Sequence, residues 1–200
     1  MILRSLAEVL DAIPAERSVI GIAGAPGAGK STIAEALVAA LPSAVLLPMD
    51  GFHLPQARLV ELGRRERMGA PDTFDLPGLE ATLARVRHAG ETVLAPGFDR
   101  EIEEAVPDAI AIAPAFRTVV AEGNYLLHWP AVRELLDVTF YVDVDHDVRV
   151  ERLIARHVRF GKSPDAARDW SLGPDARNAL LVAETAGLAD HVIRLAEPSG

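Results

Sequence analysis

The sequence has no cysteine, which excludes a disulfide framework, thiolate zinc sites, iron–sulfur clusters and thiol nucleophiles together. That absence fits a reducing compartment, and the cytoplasm is the expected location. Positive charge is scarce: 20 Lys and Arg stand against 29 Asp and Glu, a net charge of −9. Such a balance opposes sequence-independent binding to nucleic acid, so no nucleic-acid partner is expected. Lysine is nearly missing, present only at Lys30 and Lys162, which leaves no Asn-Lys-x-Asp signature of a guanine-nucleotide switch. No apolar run is long enough to cross a membrane. The most apolar stretch, 33–49, is broken by Glu35, Pro42 and Ser43 and falls short of about 20 residues. Near the start, Glu8 and Asp11 interrupt what would be the apolar segment of a signal peptide. Leu3, Leu6, Leu10 and Ile13 predict an amphipathic helix there instead, ending at Pro14. These exclusions point to a small-molecule partner.

What is present suits a packed domain: 200 residues, half of them apolar. Five short apolar runs read as buried parallel strands, at 18–23, 44–49, 118–121, 138–142 and 191–195. Helical patterns at 31–41 and 147–160 alternate with them, which predicts an α/β fold with a parallel sheet of about five strands and helices on both faces. The connection between the second and third strands is too long for a plain crossover, so residues 52–117 are expected to form an inserted substrate lobe within a single 1–200 domain. Inside it, 55–67 and 77–89 read as helices, and 92–95 with 109–113 as a small hairpin.

Gly24-Ala25-Pro26-Gly27-Ala28-Gly29-Lys30-Ser31-Thr32 fits G-x-x-x-x-G-K-[ST], directly after a strand and before a helix. Small residues let the backbone curl until its N–H groups face phosphate oxygens, and the positive end of the next helix adds to the attraction. Lys30 is placed to neutralise β/γ-phosphates and Ser31 to ligate magnesium. With this chain's composition, a chance match is on the order of one in a thousand.

In an open parallel sheet, ligands lie beyond the carboxyl ends of the strands. Asp50 and Glu122 each end a strand and run into a glycine turn. Phosphoryl transfer to a hydroxyl needs a carboxylate that takes the acceptor's proton and an acidic group that holds magnesium. Asp50 is assigned the first role and Glu122 the second; each could otherwise be a helix cap or turn carboxylate.

Arg149, Arg152, Arg156 and Arg159, spaced 3, 4 and 3 apart, fall along one helix face, followed by Gly161-Lys162-Ser163-Pro164. Ser163 with Pro164 predicts the cap of a new helix. Residues 156–170 are expected to form a helical lid in which Arg156, Arg159 and Lys162 meet the transferring phosphoryl. Arg149 and Arg152 read instead as a solvated face paired with Asp145, Asp147 or Glu151.

Together these residues resemble the uridine kinase and pantothenate kinase group of P-loop kinases, especially bacterial nucleoside kinases and fructose-transport-associated kinases. The resemblance runs from the phosphate loop through 50–53, 69–75, 95–100, 122–126 and 152–158 to Gly161-Lys162. It implies the P-loop nucleoside triphosphate hydrolase fold and an ATP- and Mg2+-dependent transfer of the γ-phosphoryl to a hydroxyl of a small metabolite, with Asp50 as base. It also implies that Asp75 and the segment from Phe98 to Arg100 face the acceptor; His53, Asp72 and Tyr125 are further candidates for that side. Nucleoside kinases of the group follow the aromatic-Asp pair with His and then Ser-Arg, whereas here Arg100 comes at once, which speaks against uridine itself. A sugar would be held by Asp72 and Asp75, which could equally be helix caps before Leu79; an acid such as pantothenate would want Arg64, Arg65, Arg67 or Arg100, which could equally belong to a solvated loop. The alternative function is a P-loop ATPase or nucleotide-dependent switch with no small-molecule acceptor.

Overall fold

The computed structural model describes residues 1–88 and 90–195. Along the chain its strands are β1 (Ile2–Leu3), β2 (Ser18–Gly24), β3 (Ala44–Pro48), β4 (Val93–Asp99), β5 (Glu104–Ile112), β6 (Thr118–Gly123), β7 (Val138–Val142) and β8 (His191–Ile193). Its helices are α1 (Leu6–Asp11), α2 (Lys30–Ala40), α3 (Gln56–Glu61), α4 (Leu76–His88), α5 (Pro130–Arg133), α6 (His146–Arg159), α7 (Pro164–Leu172) and α8 (Pro174–Ala183). Six strands form a parallel sheet in the order β1-β8-β7-β2-β6-β3, and β4 and β5 make a separate antiparallel ribbon.

The sheet centres on β2, whose residues are all buried and pair with β6 on one side and β7 on the other. Alternation sends Ile20 and Ile22 to one face, where they pack with Phe140, Val120 and Leu37 of α2. Val19 and Ala23 go to the other face, with Leu47, Val119 and the α4 residues Leu79 and Leu83. Truncating Phe140 to Ala at the sheet centre costs about 3–5 kcal/mol, since a packed core does not collapse around the gap.

The expected first helix is shorter than its periodicity suggests, and a sixth strand precedes it. Ile2 and Leu3 pair with Val192 and Ile193, closing the sheet edge that β8 would otherwise expose. Leu3 is buried as a strand residue, and α1 starts after Ser5, whose side chain accepts from the Glu8 amide. Other elements lie close to their expected places. The ribbon pairs Val93 with Ile112 and Ala95 with Ile110, then runs past the expected hairpin to Asp99 and Glu104 after a bulge. Ser163 accepts from the Ala166 amide with Pro164 at the first position of α7. The expected helix at 55–67 is α3 followed by a separate 3-10 turn at Arg65–Arg67.

The segment between β3 and β6 holds α3, α4 and the ribbon, and Arg17 binds it to the sheet. That guanidinium donates to the carbonyls of Val86, Pro114 and Phe116. The register Ile22↔Glu122 and Pro48↔Glu122 levels the ends of β2, β6 and β3, so the turns after them meet at one rim.

Candidate active site

The loop from Gly24 to Ser31 leaves β2 and enters α2 at that rim. Gly27 and Gly29 have φ of 82° and 90°, the left-handed region that a side chain disfavours. A Cβ at Gly27 would also stand 2.7 Å from the Arg149 carbonyl oxygen and from Leu153 Cγ. No side chain caps α2, so its first amides remain available to an anion. Lys30 is buried, and its Nζ donates to the Ala25 carbonyl at 3.1 Å and to Asn124 Oδ1 at 2.8 Å. Burial lowers its pKa to about 8, with Glu122 and Asp50 partly opposing the shift.

Ser31 Oγ donates to Glu122 Oε1 at 3.2 Å. Burial raises the Glu122 pKa, and the neighbouring Asp50 charge adds to the rise. Asp50, in the 3-10 turn Met49–Phe52, behaves oppositely. Burial pushes its pKa up, but His53, Arg100, Lys30 and Arg156 together hold it below the usual carboxylate range. Two carboxylates and a hydroxyl thus supply only hard oxygen donors, a set that suits Mg2+, which takes one or two carboxylates and completes its shell with water and phosphate oxygens.

These groups line a cleft of about 240 Å³. Pro26, Lys30, Ser31, Glu122 and Asn124 form its floor, and His53, Phe74, Phe98 and Arg100 its wall on the insertion side. His53 Nδ1 donates to the Asp50 carbonyl at 2.9 Å, and its ring lies 4.0 Å from Phe74 and 5.0 Å from Phe98. Burial lowers its pKa, so the neutral imidazole is favoured. Arg100 Nη2 donates to Asp50 Oδ2 at 2.9 Å. Gly51 lets the ribbon come this close: a Cβ there would meet the Pro96 carbonyl at 2.3 Å. On the far side stand Arg156, half-buried, and Lys162, whose Nζ sits 4.8 Å from the centre of the Trp170 ring.

Several expected site residues lie elsewhere. Tyr125 is fully buried and donates through its hydroxyl to the Gly69 carbonyl at 2.7 Å; it props the insertion and does not reach the cleft. Asp75 is exposed and accepts from the Gly78 amide, capping the first turn of α4. Asp72 is held by Arg67 at 2.6 Å and Arg64 at 3.2 Å, outside the cleft wall. Arg159 is exposed beside Phe160, and Thr32 is exposed on α2. Arg149 is not a solvated residue either: it is buried, and its Nη1 donates to the Pro26 carbonyl at 3.3 Å. Arg152 Nη1 lies 3.6 Å from the Cβ position of Gly29, so it too faces the loop.

Asn124, Glu103 and the His157–Asp175 pair, 2.7 Å apart, line the cleft without having been singled out as site residues in the sequence, and Arg65, one of the arginines considered for an acidic acceptor, lines it as well. Asn124 had a signal, its place two residues after Glu122 at a strand end. The others come together only through the tertiary fold.

Residues 19–169 match the family model described as Phosphoribulokinase / Uridine kinase family. An ATP-dependent kinase-like protein, notR', of Aspergillus versicolor is 39% identical over 66% of this chain and 84% of its own length. A uridine kinase of Clostridium perfringens is 32% identical over 70% of this chain and 67% of its own. A crystal structure from Silicibacter sp. TM1040, provisionally named a fructose transport system kinase, superposes with a TM-score of 0.86 at 33% identity, covering 95% of this chain and 99% of that one. The chain belongs to the phosphoribulokinase / uridine kinase family and is a phosphotransferase with an alcohol group as acceptor.

Proposed function

We infer that the chain transfers the γ-phosphoryl of ATP to a hydroxyl of a small metabolite and depends on Mg2+ to do so. The observation that carries this is the convergence of Lys30, the Ser31–Glu122 hydrogen bond and Asp50 on one cleft. The loop amides and Lys30 would bind the triphosphate tail, which draws Nζ from its carbonyl partner toward phosphate oxygens. Ser31 and Glu122 would hold the magnesium ion, whose bound charge offsets that of the phosphates. Asp50, kept ionised by the surrounding cations, accepts the acceptor's hydroxyl proton as the oxygen attacks phosphorus. Arg156 and Lys162 face the charge developing on the transferred group, and residues 156–170 act as the lid that brings them there. His53, Phe98 and Arg100 form the acceptor side.

The test is ATP consumption by the purified chain with Mg2+, with and without a panel of sugars, polyols, nucleosides and pantothenate. Acceptor-dependent ADP release with a phosphorylated product is expected. Release indifferent to every acceptor, with inorganic phosphate as product, would make the protein an ATPase instead.

A further inference from the structure

The four arginines that could capture an acidic acceptor are already engaged. Arg64 and Arg67 close on Asp72, Arg65 Nη2 donates to Glu103 Oε2 at 2.8 Å, and Arg100 donates to Asp50 at 2.9 Å. Arg65 is fixed further by its Nε, which donates to Gln56 Oε1 at 2.9 Å. We propose that the acceptor is an uncharged polyhydroxy compound, recognised through its hydroxyls at the Arg65–Glu103 pair, and that the ion pairing of Arg65 and Arg100 on the acceptor side of the cleft discriminates against acids and phosphate esters. This deepens the kinase assignment above and rests on it.

Pairing, hydrogen-bonding capacity and charge support it. A carboxylate entering on the insertion side of the cleft, away from Arg156 and Lys162, would have to take Arg65 from Glu103 or Arg100 from Asp50, leaving a displaced carboxylate beside it. A hydroxyl donates and accepts at once, so vicinal hydroxyls can bond to both members of an intact pair. Glu103 Oε1 has no partner among the described residues and can accept from such a group. Glu103 is itself held at φ 52°, an unusual conformation for a residue other than glycine, at the ribbon tip where its side chain lines the cleft. Charge points the same way. The cleft is lined by five Lys or Arg and four Asp or Glu. A magnesium-bound nucleoside triphosphate brings about two net negative charges, so the loaded cleft repels an anion.

The experiment compares matched pairs at saturating ATP and Mg2+: glycerol with glycerate, fructose with fructose 6-phosphate, and a nucleoside with its monophosphate. The neutral member is expected to show a kcat/KM higher by about tenfold, since the Arg65–Glu103 and Arg100–Asp50 pairs are partly exposed and water offsets much of the cost of separating them. The sugar and nucleoside arms separate those two sources of vicinal hydroxyls. Preference for the charged member in every productive pair would overturn the proposal. If no pair is phosphorylated, the same pairs are compared by calorimetry on the nucleotide-loaded chain, and tighter binding of the charged members overturns it equally. Glu103→Gln removes the charge that neutralises Arg65 and should move the preference toward the charged member by about tenfold; an unchanged ratio would remove the pair as the discriminating element. ADP release with inorganic phosphate and no phosphorylated product from any member is a different outcome, and it strikes the kinase assignment.

Discussion

Arg100 Nη2 lies 2.9 Å from Asp50 Oδ2, joining the ribbon tip to the turn after β3. Asp50 lines the cleft, and its Oδ1 has no hydrogen-bond partner among the described residues, so one carboxylate oxygen is restrained while the other can accept. If Arg100 acts through Asp50, the two substitutions do not add. Arg100→Ala is expected to lower kcat by about 10–100-fold, and the same change in an Asp50→Asn background to cost little more. Steady-state kinetics on both single variants and the double variant measure this. Full additivity, with the loss confined to the acceptor KM, would make Arg100 a contact to the acceptor instead.

Lys30 gives a pH-dependent stability effect. Its folded pKa of about 8 is below the unfolded value of 10.5, so the unfolded chain binds more protons between those values and the stability contributed by this position rises with pH across that window. Below about pH 8 the full cost of burying the charged amine applies. Lys30→Met removes that dependence. In chelator-treated buffer without nucleotide, the stability of the variant relative to wild type should fall by on the order of 2–3 kcal/mol between pH 7 and pH 10.5. Denaturant melts at both pH values test it, and a constant difference would mean that the lysine is not desolvated. The variant should also lose nucleotide affinity.

Arg156 lines the cleft, and burial lowers its pKa, with Arg100 adding to the shift. Arg159, one turn further along α6, is exposed. Arg156→Ala should reduce kcat by up to about 10³-fold, whereas Arg159→Ala should stay within about twofold. Equal losses in both would point to a structural role for the end of α6.

Gly51→Ala forces a methyl against the Pro96 carbonyl, which stands 2.3 Å from the Cβ position. The ribbon has to retreat, carrying Arg100 and Phe98 away from Asp50. The expected result is a raised acceptor KM and reduced kcat with ATP affinity close to wild type, since the atoms nearest the added methyl belong to Pro96 and Gly97 of the ribbon and not to the phosphate loop. Unchanged kinetics would show that ribbon position does not govern the acceptor site.

The sheet was legible because β-branched runs ending in glycine turns announce buried parallel strands and place Asp50 and Glu122 at one rim. The phosphate loop was legible for a local reason too, since its function depends on backbone geometry that glycine permits. β1 was missed because two residues carry no periodicity, and Ile2 and Leu3 form a strand only where β8 offers an edge. The arginine series was misjudged because spacing alone fixes the side of a helix but not what that side packs on. Arg149 and Arg152 meet the loop, while Arg159 lies past the point where α6 leaves it. Tyr125 and Asp75 belong to the family-like motifs, but their work here is structural, one holding Gly69 and the other capping α4.

The division of labour between phosphate capture and proton removal is tested most directly by measuring ATP affinity and acceptor phosphorylation side by side in Asp50→Asn. Nucleotide should bind to the variant with nearly wild-type affinity, because Lys30 and the loop amides are untouched, while phosphoryl transfer falls by about 10²–10⁴-fold. Turnover that survives at the wild-type rate, or ATP affinity that collapses with it, would contradict the assignment of Asp50 as the base.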